Sequence, residues 1–172
     1  MKNVLIVVDM QKDFIDMALG TPEALLTVEP VSALIKDPSF DTVIATMDTH
    51  GEDYMEIYEG KHLPVIHCVK GTEGWQINDD VKAALEERNA QIIEKPTFGS
   101  ENLIALLKEE KPESVTFCGL CTDICVISNA LMARAALDGT PMYVCKDACA
   151  GVTPAKHEAA LEVMASCQIE IR

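Results

Sequence analysis

Cys125 stands in Gly119-Leu120-Cys121-Thr122-Asp123-Ile124-Cys125-Val126, where an apolar run gives way to a helical pattern. Thr122 or Asp123 suits the cap of that helix, which puts Cys125 in its first turn. Free backbone N–H groups and the positive end of the helix dipole favour a thiolate there, and the same N–H groups can hold an oxyanion during acyl transfer. A small buried residue on the inner helix face fits the same local pattern. Asp9 and Lys95 bear on the choice. Asp9 directly follows Val4 to Val8, and Lys95 comes just after Gln91 to Ile93. A carboxylate at a buried strand end is costly unless it is paired or used. Alone, Asp9 and Lys95 would make an ion pair at the rim of the core. Beside a thiol, they would supply a base for its proton and a cation for its thiolate.

A second constellation could hold a metal. Asp48-Thr49-His50 places a carboxylate and an imidazole two residues apart on an extended loop, and His67 is the natural third ligand. Such oxygen and nitrogen donors suit one divalent ion such as Zn²⁺, Mn²⁺ or Fe²⁺. Glu52, Asp53, Glu56 and Glu59 crowd the same region, so a solvated acidic loop is the plainer reading. The cysteines offer a third possibility, a non-catalytic redox or metal module built on Cys118, Cys121, Cys145 and Cys149. It fits poorly, because the second pair is spaced Cys-x-x-x-Cys and no His lies close enough to complete a finger.

The elements that must position these groups alternate. Apolar β-branched runs occur at Val4 to Val8, Thr42 to Met47, Leu63 to Val69, Gln91 to Ile93, Ser114 to Cys118, Pro141 to Cys145 and Ile169 to Ile171. Helical patterns fall at Pro22 to Ile35, Asp79 to Arg88, Glu101 to Glu110, Asp123 to Asp138 and Pro154 to Ser166. This alternation predicts an α/β fold in three layers, with a mostly parallel central sheet and helices on both faces. Ligands in such sheets bind beyond the carboxyl ends of the strands, where Asp9, Asp48, His50, Lys95 and Cys125 all fall.

Composition limits the partners. The chain has 172 residues, with 14 Lys+Arg against 28 Asp+Glu and a net charge of −14. One domain over 1–172 is expected, since no linker, repeat or low-complexity tract interrupts the pattern. No basic stripe exists to neutralise phosphates, which argues against nucleic acid, and no apolar stretch approaches the ~20 residues of a membrane span. Met1-Lys2-Asn3 before Val4 to Val8 shows no cleavage site, and seven cysteines is an odd number. Both point to the reducing cytoplasm.

Three segments together resemble a known family. Val7-Val8-Asp9-Met10-Gln11-Lys12-Asp13-Phe14, Lys95-Pro96-Thr97-Phe98-Gly99-Ser100 and the segment around Cys125 are similar to those of the isochorismatase-like cysteine hydrolases, and most similar to those of the nicotinamidases. The resemblance implies a three-layer α/β/α domain, commonly homo-oligomeric, with a triad of Asp9, Lys95 and Cys125. It also implies a non-proline cis peptide between Leu120 and Cys121, whose turn holds the oxyanion. The nicotinamidases carry an Asp-x-His and a later His, which maps a metal onto Asp48, His50 and His67. Their further ligand is a His or Glu in between, here Glu59, with Glu56 as runner-up. Isochorismatases proper lack this set. The activity implied is hydrolysis of nicotinamide or a close heteroaromatic carboxamide, through a thioester, to the acid and ammonia. The alternative is a metal-free hydrolase of another small amide or vinyl ether. Many nicotinamidases have an aromatic Trp-Pro before their His-Cys, whereas this chain has Leu63-Pro64. Phe14 is therefore expected to supply the ring wall, with Trp75 as another candidate.

Overall fold

Six of the seven apolar runs form strands in the computed structural model, which describes residues 2–172. The order is β1 (Asn3–Val8), α1 (Lys12–Ile15), α2 (Pro22–Leu26), α3 (Val28–Lys36), β2 (Thr42–Asp48), α4 (Tyr58–His62), α5 (Asp79–Glu87) and β3 (Gln91–Lys95). Then come α6 (Glu101–Glu110), β4 (Ser114–Leu120), α7 (Ile127–Ala136), β5 (Met142–Ala150), α8 (Pro154–Ser166) and β6 (Glu170–Ile171). The strands make one sheet in the order β3-β2-β1-β4-β5-β6, and every pairing in it is parallel. This is the expected α/β/α architecture. Among the described residues, no helix is long and apolar enough to cross a membrane.

Two predicted elements differ. Leu63 to Val69 is an irregular loop that touches the sheet side only through a bridge between His50 and Val69. β2 already has β1 and β3 on its two edges, and Pro64 offers no N–H to a ladder. The run from Pro22 to Ile35 breaks at Thr27 into α2 and α3. Pro30 cannot donate to the carbonyl of Leu26, so one continuous helix is forbidden there. Thr27 turns the chain instead, its hydroxyl donating to the Ala24 carbonyl at 2.7 Å.

The topology fixes where a ligand crevice opens. The chain leaves β1 for β2 and β3 on one side, then returns to lay β4 on β1's other side. The carboxyl ends of β1 and β4 therefore flank the switch point, the place where open α/β sheets bind ligands. Asp9 emerges from one and the Cys125 turn from the other. Val8 pairs with Gly119 at that point. Gly119 has φ +112°, and a Cβ there would run into the Val8 backbone. Gly119→Ala should therefore cost at least about 3 kcal/mol of stability, seen as a lowered midpoint in urea unfolding. A midpoint within error of the parent would refute the close approach.

Candidate active site

β1 is buried along nearly its whole length, so the residue leaving it is buried too: Asp9 has no exposed surface. It turns the chain at φ +46° and accepts a hydrogen bond from the Thr46 hydroxyl at 2.7 Å. Lys95 ends β3 and reaches across β2 with its ammonium. Its Nζ lies 2.6 Å from Asp9 Oδ2, 3.2 Å from Asp48 Oδ1 and 3.5 Å from Cys125 Sγ, and donates to the Thr97 carbonyl at 3.0 Å. The Lys95 ammonium thus stands between Asp9 and Cys125, and the structure gathers the three residues at one buried point.

Cys125 sits in a π-helical turn, Thr122–Val126, that leads into α7. The peptide between Leu120 and Cys121 is cis. Neither Thr122 nor Asp123 caps this turn, contrary to the sequence expectation. Cys121 occupies the cap position, the Thr122 hydroxyl bonds His157 Nδ1 at 2.8 Å, and Asp123 accepts the Val152 N–H at 2.9 Å. These bonds tie the turn to the start of α8. A second correction concerns charge. Burial and the neighbouring Asp9 push the Cys125 thiol well up, and Lys95 opposes them without prevailing. Burial also raises Asp9 against the pull of Lys95. The direction for Cys125 is thus opposite to the thiolate-favouring one that the sequence suggested.

Asp48, His50, Glu59 and His67 converge from three segments. His50 Nε2 lies 2.9 Å from Asp48 Oδ2 and 3.7 Å from Glu59 Oε1. His67 Nε2 lies 3.7 Å from the former oxygen and 3.6 Å from the latter. Donors held about 2.0–2.2 Å from a tetrahedral ion stand roughly 3.3–3.6 Å apart, so the cluster has the dimensions of a ligand shell. His67 Nδ1 bonds the Val65 carbonyl at 2.8 Å, which orients the ring and leaves Nε2 for the cluster. Burial and Asp48 raise the Glu59 carboxyl. Burial also opposes ionisation of Asp48, but His50 and Lys95 outweigh it and lower that group. A divalent cation between two such carboxylates relieves their repulsion. Glu56 is exposed and outside the group. Among the described residues this tetrad is the sole cluster fit for a metal, and the cysteines form none; all seven are free thiols.

A cavity of about 230 Å³ opens onto both constellations, with Cys125 and Cys121 on one part of its wall and Asp48, Glu59 and His67 on another. Phe14 lines it, edge-on to His67 at 5.5 Å. Trp75 does not. Its indole N–H donates to the Thr49 hydroxyl at 2.9 Å, away from the cavity. Phe98, Leu63 and Lys156 line it as well, although no periodicity along the chain singles them out. Two buried amides were also missed. Gln11 Nε2 donates to the Asp48 carbonyl at 2.8 Å while its Oε1 accepts the Asp48 N–H at 2.7 Å. Asn129 bonds backbone beside Cys125 and Phe98.

Two outcomes follow. Glu59→Gln should weaken Zn²⁺ binding, titrated calorimetrically, by more than the roughly 10–100-fold that loss of an outer-shell partner costs, while Glu56→Gln leaves it unchanged. Equal effects would remove Glu59 from the cluster. With iodoacetamide near neutral pH, the exposed Cys167 should label ahead of Cys125, whose labelling should climb only above pH 9, as peptide mass spectrometry would read.

Comparison with known proteins places this geometry in context. The family profile described as the isochorismatase domain matches residues 3–172. The chain is 27% identical to a nicotinamidase of Schizosaccharomyces pombe, over 97% of this chain and 91% of that protein. The crystal structure of a Pyrococcus horikoshii pyrazinamidase in complex with zinc is 30% identical, with a TM-score of 0.81 over 100% of this chain and 99% of that one. PnC1 from L. infantum, solved in complex with nicotinate, is 25% identical, with a TM-score of 0.85 over 99% and 92%.

Proposed function

This chain belongs to the isochorismatase family and is a hydrolase of amide bonds, and from that premise we propose that it converts nicotinamide, or a close heteroaromatic carboxamide, to the acid and ammonia. The observation that carries the reading is a single cavity that opens onto the Cys125 thiol and onto Asp48, Glu59 and His67, three members of the cluster of four metal-type donors. The size of that cavity, about 230 Å³, suits one small ring and its carboxamide.

In the proposed reaction, Cys125 Sγ attacks the carboxamide carbon as its proton passes to Asp9 Oδ. The Lys95 ammonium, within hydrogen-bond reach of both groups, stabilises the negative charge that develops on sulfur. Backbone N–H groups of Cys121 and Cys125 receive the carbonyl oxygen as it becomes an oxyanion. Asp9 returns the proton to the departing nitrogen, so ammonia leaves and a thioester remains. Water then attacks the thioester with Asp9 again as base, the C–S bond breaks, and the acid leaves as the thiol is restored. Phe14 and Phe98 confine the ring between aromatic surfaces. A divalent ion held by Asp48, His50, Glu59 and His67 would supply a Lewis-acidic anchor for a ring nitrogen.

The test is ammonia release from nicotinamide, pyrazinamide and benzamide, the last lacking a ring nitrogen. Turnover of the first two well above the third, abolished in Cys125→Ala, is the expected result. Release from none of them would defeat the substrate assignment. Asp9→Asn should lower kcat by about 10²–10⁴, the usual worth of a positioned base. Because the Asp9 pKa is raised, its reactive ionised form is lost as pH falls through a value above the ordinary 3.8. The acid limb of kcat/KM should therefore lie above 3.8 and vanish in Asp9→Asn.

A further inference from the structure

Asn129 lies fully buried in α7, one turn after the nucleophile position. Its Nδ2 donates to the Cys125 carbonyl at 2.8 Å and to the Phe98 carbonyl at 3.0 Å. Its Oδ1 accepts the Ser100 N–H at 2.9 Å. One amide group thus joins the Cys125 turn to the segment between β3 and α6. That segment carries Lys95 at its start and Phe98 in the cavity wall. Phe98 is 41% exposed, so core packing does not hold its ring, and the backbone must do so. The approach is close: a Cβ on Gly99 would strike the Met132 sulfur of α7, which leaves the amide as the polar fastening along this contact.

We propose that Asn129 is a positioning residue that sets the gap between the Phe98 wall and the Cys125 thiol. The claim rests on the carboxamide-hydrolase reading for its effect on turnover, but not for its effect on the thiol. Bonds to two backbone carbonyls and one N–H need a neutral group with donors and an acceptor, which an amide supplies and a carboxylate does not. The two halves of the tether can be separated by substitution. A threonine in a helix donates its hydroxyl to the carbonyl four residues back, so Asn129→Thr keeps a bond to Cys125 and loses both bonds to the Phe98 segment. Asn129→Leu loses all three.

The experiment measures ammonia release and iodoacetamide labelling of Cys125, in a Cys167→Ser background with Zn²⁺ content checked in each protein. Asn129→Thr should raise KM about tenfold with Cys125 labelling within about twofold of the parent. Asn129→Leu should also slow labelling about tenfold. In a Phe98→Ala background, Asn129→Thr should add less than about twofold to KM, because the wall it holds is already gone. A merely structural role would give the same KM penalty with and without the Phe98 ring, and that result would overturn the proposal. So would equal labelling rates in Asn129→Leu and the parent. Should Asn129→Thr fail to fold, Asn129→Ser replaces it, since its hydroxyl also donates to the carbonyl four residues back and reaches neither Phe98 nor Ser100. If the parent releases no ammonia from nicotinamide, the substrate assignment fails, while the labelling comparison still decides the tether.

Discussion

The site depends on one buried ammonium. Lys95 is 1% exposed, and its Nζ meets two carboxylates and a thiol within 3.5 Å. Removing these charges from water is expensive, and only their mutual attraction and a full set of hydrogen bonds can offset it. Burial alone would favour a neutral amine, yet Asp9, Cys125 and Asp48 hold Lys95 firmly protonated. One cation thereby couples Cys125 to the donor cluster, because Asp48 gives one oxygen to Lys95 and the other to His50. The two constellations that looked separate along the chain share a carboxylate.

Burial first, and this coupling second, raise the Cys125 thiol. A helix start and a lysine are each able to stabilise a thiolate. Here the lysine is already engaged by Asp9 and Asp48, and the second anion beside the sulfur is Asp9 itself. Carboxylates beside a thiol oppose its ionisation, and in the proposed reaction the nearby Asp9 would take the proton as sulfur attacks.

Legibility of the fold and site followed the range of the interaction. Strands β1, β2 and β4 are buried on both faces, so their β-branched runs stood out; the order around β1 did not, because sheet order is set by crossovers that leave no periodicity. Asp9, Lys95, Cys125, Asp48, His50 and His67 were legible because residues of those types at strand ends are chemically conspicuous. Glu59 could be told from Glu56 only by resemblance, since both lie in one acidic stretch and the turn of α4 decides which faces inward. Leu63 to Val69 read as a strand because hydrophobicity does not report whether a sheet has an open edge to receive it. That Phe98 lines the cavity and Trp75 does not was illegible for a related reason. An aromatic near a site in sequence lies in the pocket or beside it according to a backbone path of a few residues.

Gln11 and Asn129 were invisible because they do no chemistry, yet they solve the central difficulty of assembling the site. The reactive groups come from four strand ends, the short helix α4 and one loop, and each must be held to within a fraction of an ångström. A charged tether would disturb a cluster that already sets Asp9, Asp48 and Glu59 around one lysine. Loops left to water would leave the groups loose. A buried primary amide avoids both problems, because it can satisfy backbone donors and acceptors together while adding no charge. Gln11 does so for the N–H and carbonyl of Asp48, and Asn129 for the segments bearing Cys125 and Phe98. The electrostatics of the site and the chemical neutrality of what holds it are consequences of one constraint: carboxylates already crowd the one buried lysine, so a tether with a charge of its own would add to a set that is hard to compensate.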